Sequence, residues 1–145
     1  MATAATASEA LRQVRDGMDF SAPKSVLKIR AERAVVRARG WPYSSAENVA
    51  HCDLWQQIWL AKLRGETRPR LDPKIWDWPK VHTSEWGKVR EDFLRNLGDA
   101  LAIASAEPFV HRMKSDEDAV KTLLEIAVHD AYHIGQCVLL KRLLE

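Results

Sequence analysis

The sequence predicts an all-α fold, a four-helix bundle, from three observations. Apolar residues recur every three or four positions through three long segments, and each segment follows a helix-capping residue. No stretch shows sustained alternation of apolar and polar residues. The one Asp-Gly pair, Asp16-Gly17, lies inside a helical pattern rather than between two strands. Amphipathic helices of this kind bury their apolar stripes by packing against one another.

The first forty residues predict an extra or split N-terminal helix. A helix is expected over residues 9–18, with Ser8 as its cap. A second helical segment is expected to be capped by Ser21, with Pro23 in its first turn, and to end at Gly40. The first eight residues are expected to be disordered.

A capping box and a long loop follow. Ser44-Ser-Ala-Glu47 has the Ser-x-x-Glu pattern that begins a helix, and this helix is expected to end near Gly65. Residues 66–82 contain three prolines and two tryptophans. They predict an irregular loop, and a loop of this length is often functional.

Two more helices complete the bundle. One is expected to be capped by Thr83 or Ser84 and to end before Glu107-Pro108. The last is capped by Ser115 and begins with three acidic residues, which the helix dipole favours. It continues to the C-terminus.

The composition indicates a single globular domain over residues 1–145. Hydrophobic residues make up 46% and charged residues 29% of the chain, which excludes disordered, collagenous and fibrous classes. Two cysteines are too few for a disulfide framework, so a reducing, cytoplasmic setting is expected. No apolar run approaches the ~20 residues of a membrane span, and the start lacks signal-peptide features, so no membrane partner is expected.

Charge gives little reason to expect a nucleic-acid partner. The 22 basic and 20 acidic residues leave a net charge of +2. Six basic side chains fall between Lys24 and Arg39, but they are spread around the predicted helix as on a solvated surface. A nucleic-acid binder that uses this segment is an alternative, which salt-dependent binding to duplex DNA would support.

Three histidines are predicted to converge inside the bundle. His129 and His133 lie four residues apart on one face of the last helix, together with Ile126 and Leu140. His51 lies on the apolar face of another helix. Three imidazoles from two facing helices can hold a divalent metal and leave one coordination position open. The alternative is a set of core histidines, each of which needs a buried hydrogen-bond partner.

The remaining histidines and the loop tryptophans are expected to have other roles. His82 and His111 lie in or beside loops and are expected to face solvent, although either is a fallback ligand if His51 points elsewhere. Trp76 and Trp78 either cap one end of the bundle or line the mouth of a pocket.

Four further residues are candidates to support the histidines, namely Glu47, Glu125, Gln136 and Cys137. Each glutamate precedes a histidine by four residues, so its carboxylate can accept an imidazole N–H. A capping role for Glu47 and a solvated position for Glu125 are the alternatives. Cys137 lies one turn after His133, either as a ligand or nucleophile or as an inert core thiol.

The segment His129-Asp-Ala-Tyr-His-Ile-Gly-Gln136 resembles the last helix of the DinB/YfiT-like family, and Ser44 to His51 resembles that family's second helix. The resemblance extends over residues 44–145. It implies an up-down-down-up four-helix bundle that is often a homodimer. It also implies a three-histidine site for a divalent metal, commonly nickel or zinc, with His51, His129 and His133 as the matching residues.

The resemblance implies a class of reaction rather than a substrate. Better-understood relatives are thiol transferases that use low-molecular-weight thiols, and thiol-dependent isomerases. A metal-dependent transferase or hydrolase-like enzyme acting on a small molecule is therefore one interpretation. The other is a non-catalytic helical dimer or interaction module whose histidines, or whose metal, are structural.

Overall fold

A computed structural model describes residues 1–68 and 77–145, and within these two ranges the chain is helical and contains no strand. The helices are α1 (Ala4–Asp16), α2 (Pro23–Val26), α3 (Ala31–Ala34), α4 (Ser45–Arg64), α5 (Trp86–Ser105) and α6 (Asp116–Leu143). A single 3₁₀ turn, Thr83–Glu85, leads into α5. The predicted all-α class is confirmed.

The four long helices form the bundle. Helix α4 packs against both α5 and α6, and α1 packs against the same two helices from the other side. Helices α1 and α4 therefore lie diagonally across the bundle, and so do α5 and α6. This arrangement places α4 beside α6, the two helices that carry the three candidate histidines.

Helix α1 begins earlier than the sequence predicts. Thr3, rather than Ser8, is its cap, because the Thr3 hydroxyl accepts from the Thr6 amide at 3.2 Å and Thr6 Oγ1 accepts from the Thr3 amide at 3.3 Å. Residues 4–8, expected to be disordered, are helical. This segment is rich in alanine, the strongest helix former, and it buries Ala7 in the core.

Helices α2 and α3 are two single turns where one longer segment is predicted. The cap of α2 is Ala22 rather than Ser21, and it offers no side-chain hydrogen bond. Between the two turns, the carbonyl of Ile29 accepts from the indole N–H of Trp86 at 2.8 Å. A continuous helix would use that carbonyl for its own ladder, so this distant contact favours the break.

The predicted caps of α4 and α6 are confirmed. Ser44 Oγ accepts from the Glu47 amide at 3.1 Å, and the Glu47 carboxylate accepts from the Ser44 amide at 2.8 Å. Ser115 Oγ accepts from the Asp118 amide at 3.1 Å. Gly65 ends α4 with a φ of 69°, a left-handed conformation that glycine adopts at low cost.

The start of α5 differs from its prediction. Neither Thr83 nor Ser84 caps this helix, since both belong to the 3₁₀ turn before it. The Glu85 carboxylate accepts from the His82 amide at 2.7 Å and so stabilises that turn.

Two apolar clusters form the core. The first joins all four long helices through fully buried leucines: Leu11, Leu60, Leu97 and Leu123. The second packs α2 and α3 against the start of α4, the start of α5 and the later part of α6, around Phe93. No described helix combines the length and apolar character needed to cross a bilayer.

Candidate metal centre

Three imidazoles meet between α4 and α6. His51 lies on α4, and His129 and His133 lie one turn apart on α6. One ring nitrogen of each histidine lies within 4.8 Å of those of the other two, and the Nε2 atoms of His51 and His129 are 3.1 Å apart. Two nitrogens bound tetrahedrally to one zinc ion, at about 2.05 Å each, are about 3.3 Å apart. The spacing of this cluster therefore fits a single divalent transition-metal ion.

Hydrogen bonds to acceptor oxygens fix the tautomer of two of these histidines. His133 Nδ1 lies 2.8 Å from Asn48 Oδ1, and His51 Nδ1 contacts the backbone carbonyl of Asp77. Because both partners are oxygens that accept, each Nδ1 carries the proton and each Nε2 keeps its lone pair. This is the pattern by which outer hydrogen bonds prepare histidine ligands for a metal.

The third histidine has a buried nitrogen without a partner. His129 Nδ1 makes no hydrogen bond to any described residue, and neither does Asp130 Oδ1, which lies 4.0 Å away. The other carboxylate oxygen of Asp130 accepts from Gln56 Nε2 at 2.6 Å. Burial raises the pKa of Asp130 well above its ordinary value. If His129 binds a metal through the lone pair of Nε2, its proton is on Nδ1. Asp130 Oδ1, 4.0 Å away, is then the oxygen beside this N–H.

Burial keeps the two α6 imidazoles neutral. Desolvation, together with the neighbouring His51, lowers the pKa of His129 to about 4. Desolvation likewise lowers the pKa of His133 to about 4, with contributions from His129 and His51. Neutral imidazole is the form that binds metals, so the site needs no deprotonation at neutral pH.

We expect the metal-free protein to lose stability as the pH falls from about 6.5 towards 4. An unfolded histidine binds its proton near pH 6.5, whereas folded His129 and His133 bind theirs only near pH 4. Across this interval the unfolded chain binds more protons, so the free energy of unfolding decreases as the pH falls. Urea unfolding at a series of pH values, with EDTA present, measures this decrease in the free energy of unfolding. The H129A/H133A variant should show a smaller decrease, and an equal decrease in both proteins would contradict the expectation.

Aromatic stacking holds the ring of His51. Trp78 lies between Tyr43 and His51, with ring centroids 3.7 and 4.0 Å away and interplanar angles of 1° and 6°. Trp55 Nε1 donates to Asp77 Oδ1 at 2.7 Å, which ties the segment after the loop to α4. Trp78, expected at a pocket mouth or the end of the bundle, thus packs directly on a candidate ligand. Trp76 lies outside the described residues.

Glu47 is engaged elsewhere. Its carboxylate accepts from the Ser44 amide and, at 2.6 and 3.0 Å, from the Arg37 guanidinium. Burial raises the pKa of Glu47, but the bonds from Arg37 and Ser44 outweigh it and hold this pKa below its usual value. The oxygen that orients His51 is the carbonyl of Asp77.

The other three supporting candidates occupy different environments. Glu125 is exposed on α6 and makes no bond to His129 Nδ1. Gln136 lies three residues after His133, and its side chain raises the pKa of that imidazole, against the larger effect of burial. The thiol of Cys137 is fully buried, lies 3.8 Å from the Ser45 carbonyl, and has its pKa raised by burial to about 12. A thiol in this state is a poor nucleophile.

A second set of donor atoms shares one histidine with the first. Cys52, His129 and Asp130 also bring their donor atoms within 4.8 Å of one another. Cys52 and Asp130 are both fully buried, and burial raises the pKa of each well above its ordinary value. Cys52 and Asp130 bind a metal in their deprotonated forms, which burial disfavours, whereas burial favours the neutral form in which His129 and His133 bind a metal.

His82 and His111 lie outside the cluster. His82 is exposed, as expected. His111 is not a solvent-facing residue, because its side chain is only 8% exposed and its Nε2 lies 2.6 Å from Asp116 Oδ1. Its other nitrogen accepts from the Met113 amide, and its ring packs on Phe109. These contacts anchor it at the start of α6.

Sequence reasoning missed four polar residues around the cluster, which are Asn48, Gln56, Asp77 and Asp130. Asn48 and Gln56 are polar residues at buried positions of α4, and such an interruption of an apolar stripe is a signal that can be read from sequence. Asp130 follows a candidate ligand directly. Asp77 gave no signal, because its contact with His51 depends on the path of the loop.

Fold and site together define an all-helical bundle protein with a buried three-histidine cluster that could hold a metal ion. The sequence profile of the DinB superfamily matches residues 32–137, and the chain therefore belongs to that superfamily. All three histidines lie in the matched range. Neither the curated proteins nor the solved structures include one with a significant match to this chain.

Proposed function

We propose that this protein binds one divalent metal ion, zinc or nickel, through His51, His129 and His133, and that it is a metal-dependent transferase or hydrolase-like enzyme. Its substrate is a small molecule, and a low-molecular-weight thiol is the favoured nucleophile. One observation carries the proposal. The hydrogen bonds that His133 and His51 donate to Asn48 and Asp77 leave two Nε2 lone pairs for a metal, and one nitrogen of each of the three imidazoles lies within 4.8 Å of the other two.

The chemistry follows from an open coordination position. A divalent ion held by His51, His129 and His133 would lower the pKa of a thiol or water bound to it and would so supply a nucleophile at neutral pH. The protein orients the candidate ligands. Asn48 and Asp77 fix the tautomers of His133 and His51, and stacking on Trp78 fixes the plane of the His51 ring. The His129 side chain is 22% exposed, so the cluster can be reached from the surface.

The proposed setting is the cytoplasm. Cys52 and Cys137 are both free and buried, which suits a reducing compartment. Binding to nucleic acid is not part of the proposal. Two of the basic side chains between Lys24 and Arg39 have partners within the fold, because Arg33 donates to the Leu144 carbonyl at 2.7 Å and Arg37 pairs with Glu47.

A non-catalytic dimer or interaction module is the second candidate. Helix α6 exposes large apolar side chains, including Tyr132 at 63%, Leu139 at 44% and Leu143 at 51%. A second copy that covers this face would make the protein a homodimer held by apolar contacts, with a structural metal or none. Sedimentation measurements on the full chain test the dimer.

Cobalt-loaded protein distinguishes the two candidates. If a coordination position is open, adding 2-mercaptoethanol should change the visible absorption spectrum of bound cobalt, because thiolate replaces a solvent ligand. A closed structural site should leave the spectrum unchanged. An unchanged spectrum at saturating thiol would therefore contradict the enzymatic proposal.

Replacing Asn48 by leucine should weaken zinc binding by about 10–100-fold. The N48L variant removes the oxygen that fixes the His133 tautomer. Competition with a zinc chelator measures the affinity. N48D is the matched control, since it keeps an acceptor oxygen at this position and should retain most of the affinity. Wild-type affinity in N48L would contradict the role assigned to Asn48.

A further inference from the structure

A groove on the outer face of α6 ends at the histidine cluster. Its volume is about 770 Å³, which lies within the range of roughly 300–1,000 Å³ seen for small-molecule sites. Its principal walls are Trp59, Val120, Leu124, Val128, His129 and Tyr132. The groove is thus formed largely by α6, and Trp59 of α4 and the N-terminal Met1 and Ala2 also line it.

The lining of this groove is predominantly apolar and carries two aromatic rings. Trp59 and Tyr132 offer ring surfaces, and Val120, Leu124 and Val128 add aliphatic ones. The charged residues along it, Glu117, Lys121 and Glu125, are all exposed, so their charged ends stay in water. A lining of this kind favours an aromatic or aliphatic group over a sugar or a phosphate.

The groove reaches the cluster through one residue. His129 belongs to its lining and is partly exposed, whereas His51 and His133 are each 6% exposed. The rings of Trp59 and His129 pack edge to face, with centroids 5.2 Å apart and an interplanar angle of 86°. A molecule in the groove would therefore contact the cluster at His129, beside the Trp59 ring.

Because His129 belongs to both the groove and the cluster, we propose that the groove binds the apolar, aromatic part of the substrate. The protein would then act on hydrophobic small molecules. The role of this molecule as a substrate rests on the proposed function of the cluster. Binding of an aromatic group in the groove rests only on its size, its lining and its contact with His129.

Titration with 2-naphthol, followed by amide chemical shifts in two-dimensional NMR, tests the binding. Shifts should concentrate on residues 120–132 of α6. Replacing Val128 by glutamine should weaken binding about fivefold through lost apolar contact. Val128 is 70% exposed, so the V128Q variant leaves the core intact. The matched control is L139Q, on the same helix but outside the groove, and its affinity should equal that of the wild type.

Naphthol that fails to bind, or that binds equally well to V128Q and wild type, would overturn the proposal. A second measurement tests the link to the cluster. Cobalt-loaded protein should shift and broaden the naphthol proton signals relative to zinc-loaded protein, because the bound ring lies near the ion. Binding without this effect would overturn the substrate assignment. If the chain takes up no cobalt, the proposed function fails, while the naphthol titration still decides whether the groove binds.

Discussion

The H129A/H133A variant should carry no tightly bound divalent ion, whereas the wild-type protein should carry about one ion per chain. The double substitution removes two of the three imidazoles and leaves His51 as a single ligand. A single imidazole binds a divalent ion too weakly to keep it through purification, so the variant should lose nearly all of its bound metal. Elemental analysis of untagged protein, purified without a metal column, measures the occupancy.

The control for this experiment is an H82A variant. His82 is exposed and lies outside the cluster, so its removal should leave the metal content unchanged. Full occupancy in H129A/H133A would show that the ion binds elsewhere and would contradict the assignment. Circular dichroism of each variant establishes that loss of metal does not reflect loss of fold.

Replacing Phe93 by alanine should lower the free energy of unfolding by about 3–5 kcal/mol. The ring is fully buried in the second core cluster, which also contains Trp86 and Ile134, so its removal leaves a cavity that rigid helices cannot close. This is a large fraction of the total stability of a domain, which is roughly 5–15 kcal/mol. Urea unfolding measures the change.

Phe20 provides the matched comparison for Phe93. It is 52% exposed, so the F20A variant should change the free energy of unfolding by about 0.5 kcal/mol or less. Similar losses in F93A and F20A would contradict the placement of the core. Because Ile134 is next to His133 in the chain, F93A should also be tested for zinc affinity.

Local signals made most of the fold predictable. The capping box at Ser44–Glu47, the Ser115 cap and the 3.6-residue apolar period each depend on neighbours in sequence, and the structure bears them out. The break between α2 and α3 was not predictable, because it involves the Trp86 indole, which is 57 residues from Ile29 in the chain. The early start of α1 depends on the reciprocal hydrogen bonds between Thr3 and Thr6. This signal is local in sequence, but the prediction of a Ser8 cap does not use it.

In the candidate site, too, features that depend on neighbours in sequence were predictable and contacts between distant residues were not. The one-turn spacing of His129 and His133 indicated that they share a face, and the structure brings both next to His51. Their hydrogen-bond partners were harder to predict, because Asn48 is 85 residues from His133 in the chain. A position in or beside a loop predicts that His111 faces solvent, but its bonds to Asp116 and Met113 keep its side chain largely buried.

X-ray absorption at the zinc edge of the loaded protein tests the central claim most directly. The three-histidine assignment predicts about three imidazole nitrogens near 2.0–2.1 Å, with one further nitrogen or oxygen ligand from solvent and no sulfur. Zinc bound instead by the Cys52, His129 and Asp130 set would show a sulfur near 2.3 Å. A sulfur ligand, or fewer than two imidazoles, would contradict the claim that His51, His129 and His133 hold the ion.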